Sequence, residues 1–248
     1  RGSINTVIQK RFLVILFFIF VIGCSETKVV TLEHFTEEND VFESGKSLMS
    51  LSFGLHLLEE DNLDQSTLLV SVHGSASRGY EWIYPLQALN NEKNLVSFFR
   101  WNDNACPGPS IISLLELIKD KLNQNPYLNR VELIGHSYGG VLVTDFLKFW
   151  DIKVPLQIHS VAAPLKGLGA SSSLCNYQPP ASVEEGTSLH QWRTVQELDG
   201  AFNNLDYDPQ VVEIRDSLVT RLPETYKGNK LGHNWSISWV ADEINKTR

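Results

Sequence analysis

The sequence predicts a mostly parallel, doubly wound α/β sheet, and two observations lead to this fold class. Short apolar runs of strand length alternate along the chain with segments of helical periodicity, which is the pattern of βαβ crossovers. The chain has 248 residues, 42% of them hydrophobic, which is enough to bury the core of one domain. Ligands in such sheets bind at the carboxyl ends of the strands, so the loops that follow the strands should carry the chemistry.

The individual elements follow from the apolar periodicity. Continuous runs of apolar residues predict buried strands, and alternation with polar residues predicts a half-buried edge strand. Apolar residues three and four positions apart predict helices. The predicted strands are 28–35, 49–57, 67–72, 94–101, 130–135, 156–163 and 210–215, and the predicted helices are 110–124, 138–150 and 234–246.

A long segment separates the sixth predicted strand, which ends at Ala163, from the seventh, which begins at Gln210. Five residues within it recur at helical spacing: Leu189, Trp192, Val195, Leu198 and Phe202. This spacing predicts one amphipathic helix in a cap or lid inserted at about 165–209 of a domain that spans 46–248. The helix would be either a mobile cover with an apolar underside or an element packed permanently on the sheet.

The first residues have the pattern of a targeting segment. Lys10 and Arg11 precede eleven unbroken apolar residues, 12–22, a run too short for a bilayer core that needs about 20 residues in a helix. A charged start, a short apolar run and small residues at its end are typical of a secretory signal. The alternative is a buried N-terminal helix.

The end of that run, "VIGC" at 21–24, resembles the lipobox of bacterial lipoproteins. The resemblance implies a signal peptide at 1–23 and a lipidated Cys24 that holds the protein on a membrane of the bacterial cell envelope, the outer membrane or periplasm in a Gram-negative cell. Residues 24–45 would then form a tether.

Composition and motifs limit the kinds of partner and cofactor that the sequence predicts. The net charge of −8 argues against a nucleic-acid partner, because no basic patch would neutralise phosphates. The sequence has no H-E-x-x-H motif and no paired Cys/His spacing, so no metal is predicted. No organic cofactor is predicted either. If Cys24 carries lipid, Cys106 and Cys175 remain as an even pair, which in an exported protein would be a disulfide or two free thiols.

The pentapeptide Gly135-His136-Ser137-Tyr138-Gly139 matches the pattern G-x-S-x-G. It lies where a predicted strand ends and a predicted helix begins, so the chain must turn sharply at the serine. Side chains at the flanking positions would collide with the neighbouring strand and helix, which explains the glycines at Gly135 and Gly139. The turn would present the hydroxyl of Ser137 above the sheet edge as a nucleophile, with a helix N-terminus that favours negative charge.

From about Thr67 to the C-terminus the sequence resembles the α/β-hydrolase family, in particular its lipases and esterases. His73-Gly74 directly follows a predicted strand, as the "HG" of such lipases does. The resemblance implies a supporting role for these two residues. It also implies that the N–H of Ser75 and the N–H of Tyr138 form the oxyanion hole.

The resemblance further implies a catalytic triad in the chain order Ser137, Asp216, His233. Asp216 follows the predicted strand 210–215, and His233 precedes the last predicted helix. Ser137 would attack, His233 would take its proton, and Asp216 would fix the imidazole tautomer. The rival acids are Asp199, Asp206 and Asp208, which lie before that strand. His159 is interpreted as a core residue, and His56 and His190 as solvated.

The function implied is a serine hydrolase that cleaves carboxylic esters, of lipids or of other small molecules, through an acyl-enzyme intermediate. Two alternatives stay open at this point. The same triad could perform acyl transfer or thioester cleavage, or the protein could be a non-catalytic envelope lipoprotein that keeps the fold as a scaffold.

Overall fold

The computed structural model describes residues 29–35, 40–169 and 174–247, which build one seven-stranded sheet and a small hairpin. The sheet strands are β1 (Gly54–Leu57), β2 (Thr67–Val72), β3 (Asn94–Arg100), β4 (Arg130–His136), β5 (Leu156–Val161), β6 (Thr187–Arg193) and β7 (Leu218–Arg221). Their order is β1-β3-β2-β4-β5-β6-β7, with β1 antiparallel to β3 and all other neighbours parallel. The predicted fold class is therefore confirmed.

Helices cover both faces of this sheet. The α-helices of the described residues are α1 (Val41–Met49), α2 (Tyr80–Ala88), α3 (Pro107–Gln124), α4 (Tyr138–Phe146) and α5 (Trp235–Lys246). Helices α3 and α4 pack on one face, and α1, α2 and α5 pack on the other. The hairpin of β8 (Thr225–Tyr226) and β9 (Asn229–Lys230) precedes α5.

The sequence of β2 shows why the central strands read as unbroken apolar runs. Leu68 and Val70 point into the core beneath α3 and α4, whereas Leu69 points into the core beneath α2 and α5. Both faces of a parallel sheet are covered by helices, so every position of a central strand needs an apolar or paired side chain. The runs at β2, β3, β4 and β5 were accordingly predicted correctly.

Strand β6 lies inside the segment that was predicted to be a cap, and this corrects the insert at 165–209. Leu189 packs in the core on one face of the sheet and Trp192 in the core on the other. A spacing of three places residues on opposite faces of a strand, so the period that resembled a helix comes from a strand buried on both sides. The predicted cap helix was wrong.

The segment 210–215, predicted to be the seventh strand, is mostly irregular. Arg215 alone forms an isolated bridge, to Ser182, and the last strand of the sheet is β7. Because β7 is paired in parallel with β6, its first residue Leu218 lies at the amino edge of the sheet. Asp216, just before β7, is therefore at the edge opposite to the end of β4.

Part of the segment 24–45, which was predicted to be a tether, packs on the domain instead. Val30 and Phe35 are buried against the core beneath α2 and α5, and α1 already begins at Val41. Apolar side chains at these positions favour packing over a free linker. Cys24 and the predicted signal peptide lie outside the described residues, so the lipid anchor stays a prediction. Within the described ranges, no helix combines the length and apolarity required to span a bilayer.

A disulfide joins Cys106, which precedes α3, to Cys175 in the connection between β5 and β6. The two Cα atoms are 5.4 Å apart, within the usual range for a bridge. Both residues lie on the carboxyl side of the sheet, so the bridge ties two loops of that edge together.

Removing this bridge is expected to destabilise the protein substantially. The cysteines are 69 positions apart, and closing a loop of that length restricts the unfolded chain by about 4 kcal/mol in the chain-entropy model. Guanidinium unfolding of the double variant Cys106→Ser/Cys175→Ser should show this loss, and wild type unfolded with reductant should match the variant. Equal unfolding free energies for oxidised and reduced wild type would contradict the expectation.

Candidate active site

The serine of the pentapeptide occupies a strained turn between β4 and α4. Ser137 has φ 54° and ψ −120°, a conformation that costs about 1–3 kcal/mol for a residue with a side chain. Its N–H donates to the carbonyl of Val161 at 2.8 Å, which holds the turn against the end of β5. The neighbouring strand thus fixes the position from which the hydroxyl is presented.

The two glycines of the pentapeptide permit a close approach of three backbone segments. A Cβ at Gly135 would lie 2.3 Å from the carbonyl oxygen of Gly139. A Cβ at Gly139 would lie 2.3 Å from the carbonyl oxygen of Val72, at the end of β2. Neither distance is tolerable for a carbon atom, so any larger residue would open the turn.

His233, in the loop before α5, lines the same cavity as Ser137. Its Nδ1 lies 2.9 Å from Oδ2 of Asp199, and the carboxylate oxygen can only accept, so Nδ1 carries the proton. Nε2 is then left as an acceptor, which is the form that a general base requires. Ser137 and His233, which the sequence predicted to act together, thus line one cavity.

Asp199, rather than Asp216, is the acid that the structure places against His233. Asp199 is fully buried and follows β6, so it lies at the carboxyl edge of the sheet together with Ser137. Its Oδ2 also accepts from the hydroxyl of Thr194, and its Oδ1 accepts from the N–H of Ala201. Three donors fix the carboxylate and stabilise its charge.

The assignment of the acid to Asp216 is therefore corrected. Asp216 is exposed, has φ 64° in the turn before β7, and lies at the amino edge of the sheet. The acid was expected to follow a late strand, and that strand had been placed at 210–215, whereas Asp199 follows β6. Since Asp199 follows β6, a correct assignment of that strand would have identified it.

His136, which the sequence analysis treated only as part of the pentapeptide, holds His233 in place. Its Nε2 donates to the carbonyl oxygen of His233 at 3.1 Å, and the two rings are 4.6 Å apart. Burial, and secondarily the proximity of His233, holds the pKa of His136 well below its ordinary value. The neutral ring can therefore carry the Nε2–H that this bond requires. Phe202 packs its ring edge-to-face with the other side of His233.

The loop after β2 lies directly over the nucleophile. A Cβ at Gly74 would be 2.9 Å from Cβ of Ser137, so only glycine lets this loop approach so closely. Ser75 lines the cavity beside Ser137, and Tyr138 is the first residue of α4, whose N–H has no partner in a preceding turn. This placement is compatible with the two predicted oxyanion donors.

His73 supports that loop from the core. Its Nδ1 donates to the carbonyl oxygen of Gly74 at 2.9 Å, and its Nε2 accepts from the guanidinium of Arg100 at 2.7 Å. The indole N–H of Trp101 donates to the backbone carbonyl of His73 at 2.9 Å. These bonds connect His73 to the loop and to β3.

Two cavities meet at Ser137. A polar cavity is lined by Ser137 and His233 together with Ser77, Arg78, Glu81 and Asn234. An apolar cavity on the other side is lined by Ser137 and Tyr138 together with Leu168, Leu174, Phe202 and the disulfide. No group of three or more metal-binding side chains occurs within the part of the chain that the structure describes.

Several solved structures have a similar fold. Est1E from Butyrivibrio proteoclasticus superposes with a TM-score of 0.51 at 9% identity, over 78% of this chain and 90% of that one. The chain has the α/β-hydrolase fold. Two further structures are similar. An α/β serine hydrolase without lid from Xanthomonas campestris has a TM-score of 0.48 and 15% identity, over 77% of this chain and 85% of that one. A lipase-esterase related protein from Clostridium acetobutylicum has a TM-score of 0.49 and 14% identity, over 77% of this chain and 98% of that one. No protein-family profile and no curated protein matches the sequence.

Within this α/β-hydrolase fold, acid is expected to destabilise the chain through His73. Burial is the main cause that lowers the pKa of His73 to about 4, and the side chain is fully buried. The unfolded chain protonates this histidine below about pH 6.5, whereas the native protein does so only near pH 4. The free energy of unfolding should therefore be intact above pH 6.5 and fall between pH 6.5 and pH 4, by about 2 kcal/mol from this residue at pH 5.

Urea unfolding of wild type and His73→Gln at pH 7.5 and pH 5 measures this contribution. The variant loses hydrogen bonds at both pH values. The informative quantity is therefore the difference between the free energy of unfolding at pH 7.5 and that at pH 5. That difference should be smaller in the variant by about 2 kcal/mol. The same difference in both proteins would show that His73 does not titrate as expected.

Proposed function

We propose that this protein is a serine hydrolase that cleaves carboxylic esters through an acyl-enzyme intermediate. The observation that carries the proposal is the constellation at the carboxyl edge of the sheet. Ser137 on its strained turn shares a cavity with His233, whose Nδ1–H is held by the buried Asp199. A nucleophile, a base in the correct tautomer and an acid that orients the base are the three parts that such chemistry requires.

Acylation would proceed in two proton transfers. Nε2 of His233 takes the proton of Ser137 as the serine oxygen bonds to the ester carbonyl carbon. The same nitrogen then gives the proton to the alcohol oxygen as the carbon–oxygen bond to it breaks. Water then attacks the acyl carbon while Nε2 of His233 takes its proton, and the same nitrogen returns the proton to the serine oxygen as the acyl bond to Ser137 breaks. This releases the carboxylic acid and restores the serine. Asp199 stabilises the imidazolium that exists between the transfers.

The carbonyl oxygen becomes negatively charged in the tetrahedral intermediate and needs donors. The backbone N–H groups of Ser75 and Tyr138 are proposed for this role, supported by the close approach of Gly74 to Ser137. The N-terminus of α4 adds a favourable field at the same point. Together such preorganised donors contribute several kcal/mol to transition-state stabilisation.

The apolar cavity supports an ester whose acyl group is hydrophobic. Leu168, Leu174 and Phe202 line it, and it opens directly at Ser137. An acyl chain that leaves water for such a surface gains roughly 0.8 kcal/mol per buried CH₂.

The proposal is tested by turnover of a series of acyl esters, with products analysed in water and in water containing a simple alcohol. Release of free acid in both media supports hydrolysis. Predominant formation of a new ester in the presence of the alcohol would instead indicate acyl transfer. A folded protein without turnover of any ester or thioester in the series would favour the scaffold alternative.

Membrane attachment through Cys24 is a separate part of the proposal, and it is supported by the sequence 21–24 alone. Metabolic labelling of expressing bacteria with an alkyne fatty acid tests it. Label should enter the wild-type protein and be lost in Cys24→Ser. Incorporation that persists in Cys24→Ser, or none in wild type, would contradict the anchor.

A further inference from the structure

We propose that the polar cavity beside Ser137 binds the alcohol half of the ester, and that this half is a neutral, polyhydroxylated group such as a sugar. The inference rests on the proposed ester hydrolysis and adds the class of alcohol that the site selects. Three observations carry it: which cavity His233 lines, the surroundings of Glu81, and an aromatic groove that adjoins the cavity.

The position of His233 decides which cavity receives the alcohol. The base must give its proton to the leaving oxygen, so the alcohol has to lie on the side where His233 is exposed. His233 and Asn234 line the polar cavity, whereas the described residues lining the apolar cavity do not include His233. The acyl chain therefore occupies the apolar side and the alcohol the polar side.

Glu81 is a buried carboxylate at the wall of the polar cavity. Its side chain extends from α2 and the residue is only 8% exposed. The hydroxyl of Ser77 donates to Oε1, but Oε2 is buried without a hydrogen-bond partner among the described residues. An unpaired buried carboxylate oxygen is costly, and rotation of the side chain toward the cavity that Glu81 lines would let a ligand hydroxyl satisfy it.

An aromatic groove lies beside the polar cavity. Tyr80, Glu81 and Asn234 line both spaces, so the groove adjoins the cavity. Its further walls include Trp235, which is 44% exposed, and Tyr84, whose ring is covered by Lys227. Flat aromatic faces beside hydrogen-bonding groups suit a ring that has apolar C–H faces and hydroxyls at its rim.

Two cations argue against a positively charged alcohol such as choline. The ammonium of Lys227 lies 4.2 Å from the ring centre of Tyr84 and 4.9 Å from that of Tyr226, so it already occupies the cation–π position of the groove. Arg78 also lines the polar cavity. A second permanent cation would be repelled at both places, whereas a neutral polyol would not.

The test compares three esters with the same hexanoyl group, carried by the primary hydroxyl of methyl glucopyranoside, by ethanol and by choline. Because the acyl group is constant, the ratios of kcat/KM report only on the alcohol side. In wild type the sugar ester should exceed the ethyl ester by about tenfold or more, the effect of one or more hydrogen bonds to a charged group. The choline ester should not exceed the ethyl ester.

The variant Glu81→Gln keeps an oxygen that can accept from Ser77 but removes the charge, so it should lower the sugar-to-ethyl ratio by about tenfold. Trp235→Ala should lower the same ratio by removing the aromatic wall. Glu60→Gln is the matched control, since Glu60 is exposed in the loop before β2, at the opposite edge of the sheet. It should keep the wild-type ratio.

A sugar-to-ethyl ratio near one in wild type, or a ratio unchanged in Glu81→Gln, would overturn the inference. A preference for the choline ester would overturn it as well, because it would identify the cavity as a cation site. The ethyl ester separates this failure from failure of the proposed function. Turnover of ethyl hexanoate without sugar preference sinks the inference alone, whereas a folded protein that turns over none of the esters sinks both.

Discussion

Replacing Ser137 by alanine is expected to lower kcat for ester hydrolysis by up to about 10⁶-fold. In the proposed mechanism the serine oxygen bonds to the acyl carbon, and His233, which lines the same cavity, is the base that activates it. His233→Ala should cost a similar factor, because serine without its base is a poor nucleophile. The two losses should not add, so the double variant should resemble either single variant.

Steady-state kinetics with a hexanoyl ester measures this effect. Ser52→Ala is a suitable control, since Ser52 is exposed and precedes the edge strand β1. It should keep wild-type kcat. Retention of more than a few per cent of kcat in folded Ser137→Ala would contradict the assignment of the nucleophile.

Replacing Asp199 by asparagine is expected to lower kcat by about 10⁴-fold, whereas Asp216→Asn should leave it close to wild type. Asn at 199 can turn its amide N–H toward Nδ1 of His233, which forces the proton onto Nε2 and blocks that nitrogen as a base. Asp216 cannot act in this way, because it is exposed at the opposite edge of the sheet.

Each of the two variants removes one carboxylate. A loss of kcat that occurs in Asp199→Asn alone therefore reports on the contact with His233 and not on the loss of a negative charge in general. Asp199 is buried and holds three donors, so thermal unfolding should accompany the kinetics to show that Asp199→Asn is folded at the assay temperature. A large loss in Asp216→Asn together with a small loss in Asp199→Asn would return the acid to the position first inferred from sequence.

The sequence predicted those parts of the site that depend on local chain geometry. A strand that turns at once into a helix leaves a strong pattern, because close backbone contacts demand glycine at 135 and 139. His233 was proposed because a glycine-preceded histidine before the last helix resembles a motif of the α/β-hydrolase family. Cys106 and Cys175 were recognised as a candidate pair, although their bonding depends on a contact across 69 positions.

The acid was missed for a physical reason. Strand β6 is buried on both faces, so its apolar residues follow no strict alternation, and Leu189, Trp192 and Val195 happen to repeat at helical spacing. With that strand read as a helix, Asp199 was set aside because it lies before the predicted strand 210–215. Glu81 was out of reach for another reason, because its importance comes from burial beside residues about 55 and 150 positions away.

The most direct test of the account is labelling of the folded protein with a fluorophosphonate, followed by intact-mass measurement and peptide mapping. Such probes react with serines that an adjacent base activates. The account predicts one equivalent of label on Ser137, abolished in Ser137→Ala and strongly reduced in His233→Ala and Asp199→Asn. Folded wild-type protein that takes up no label, or carries it on a residue other than Ser137, would contradict the central claim.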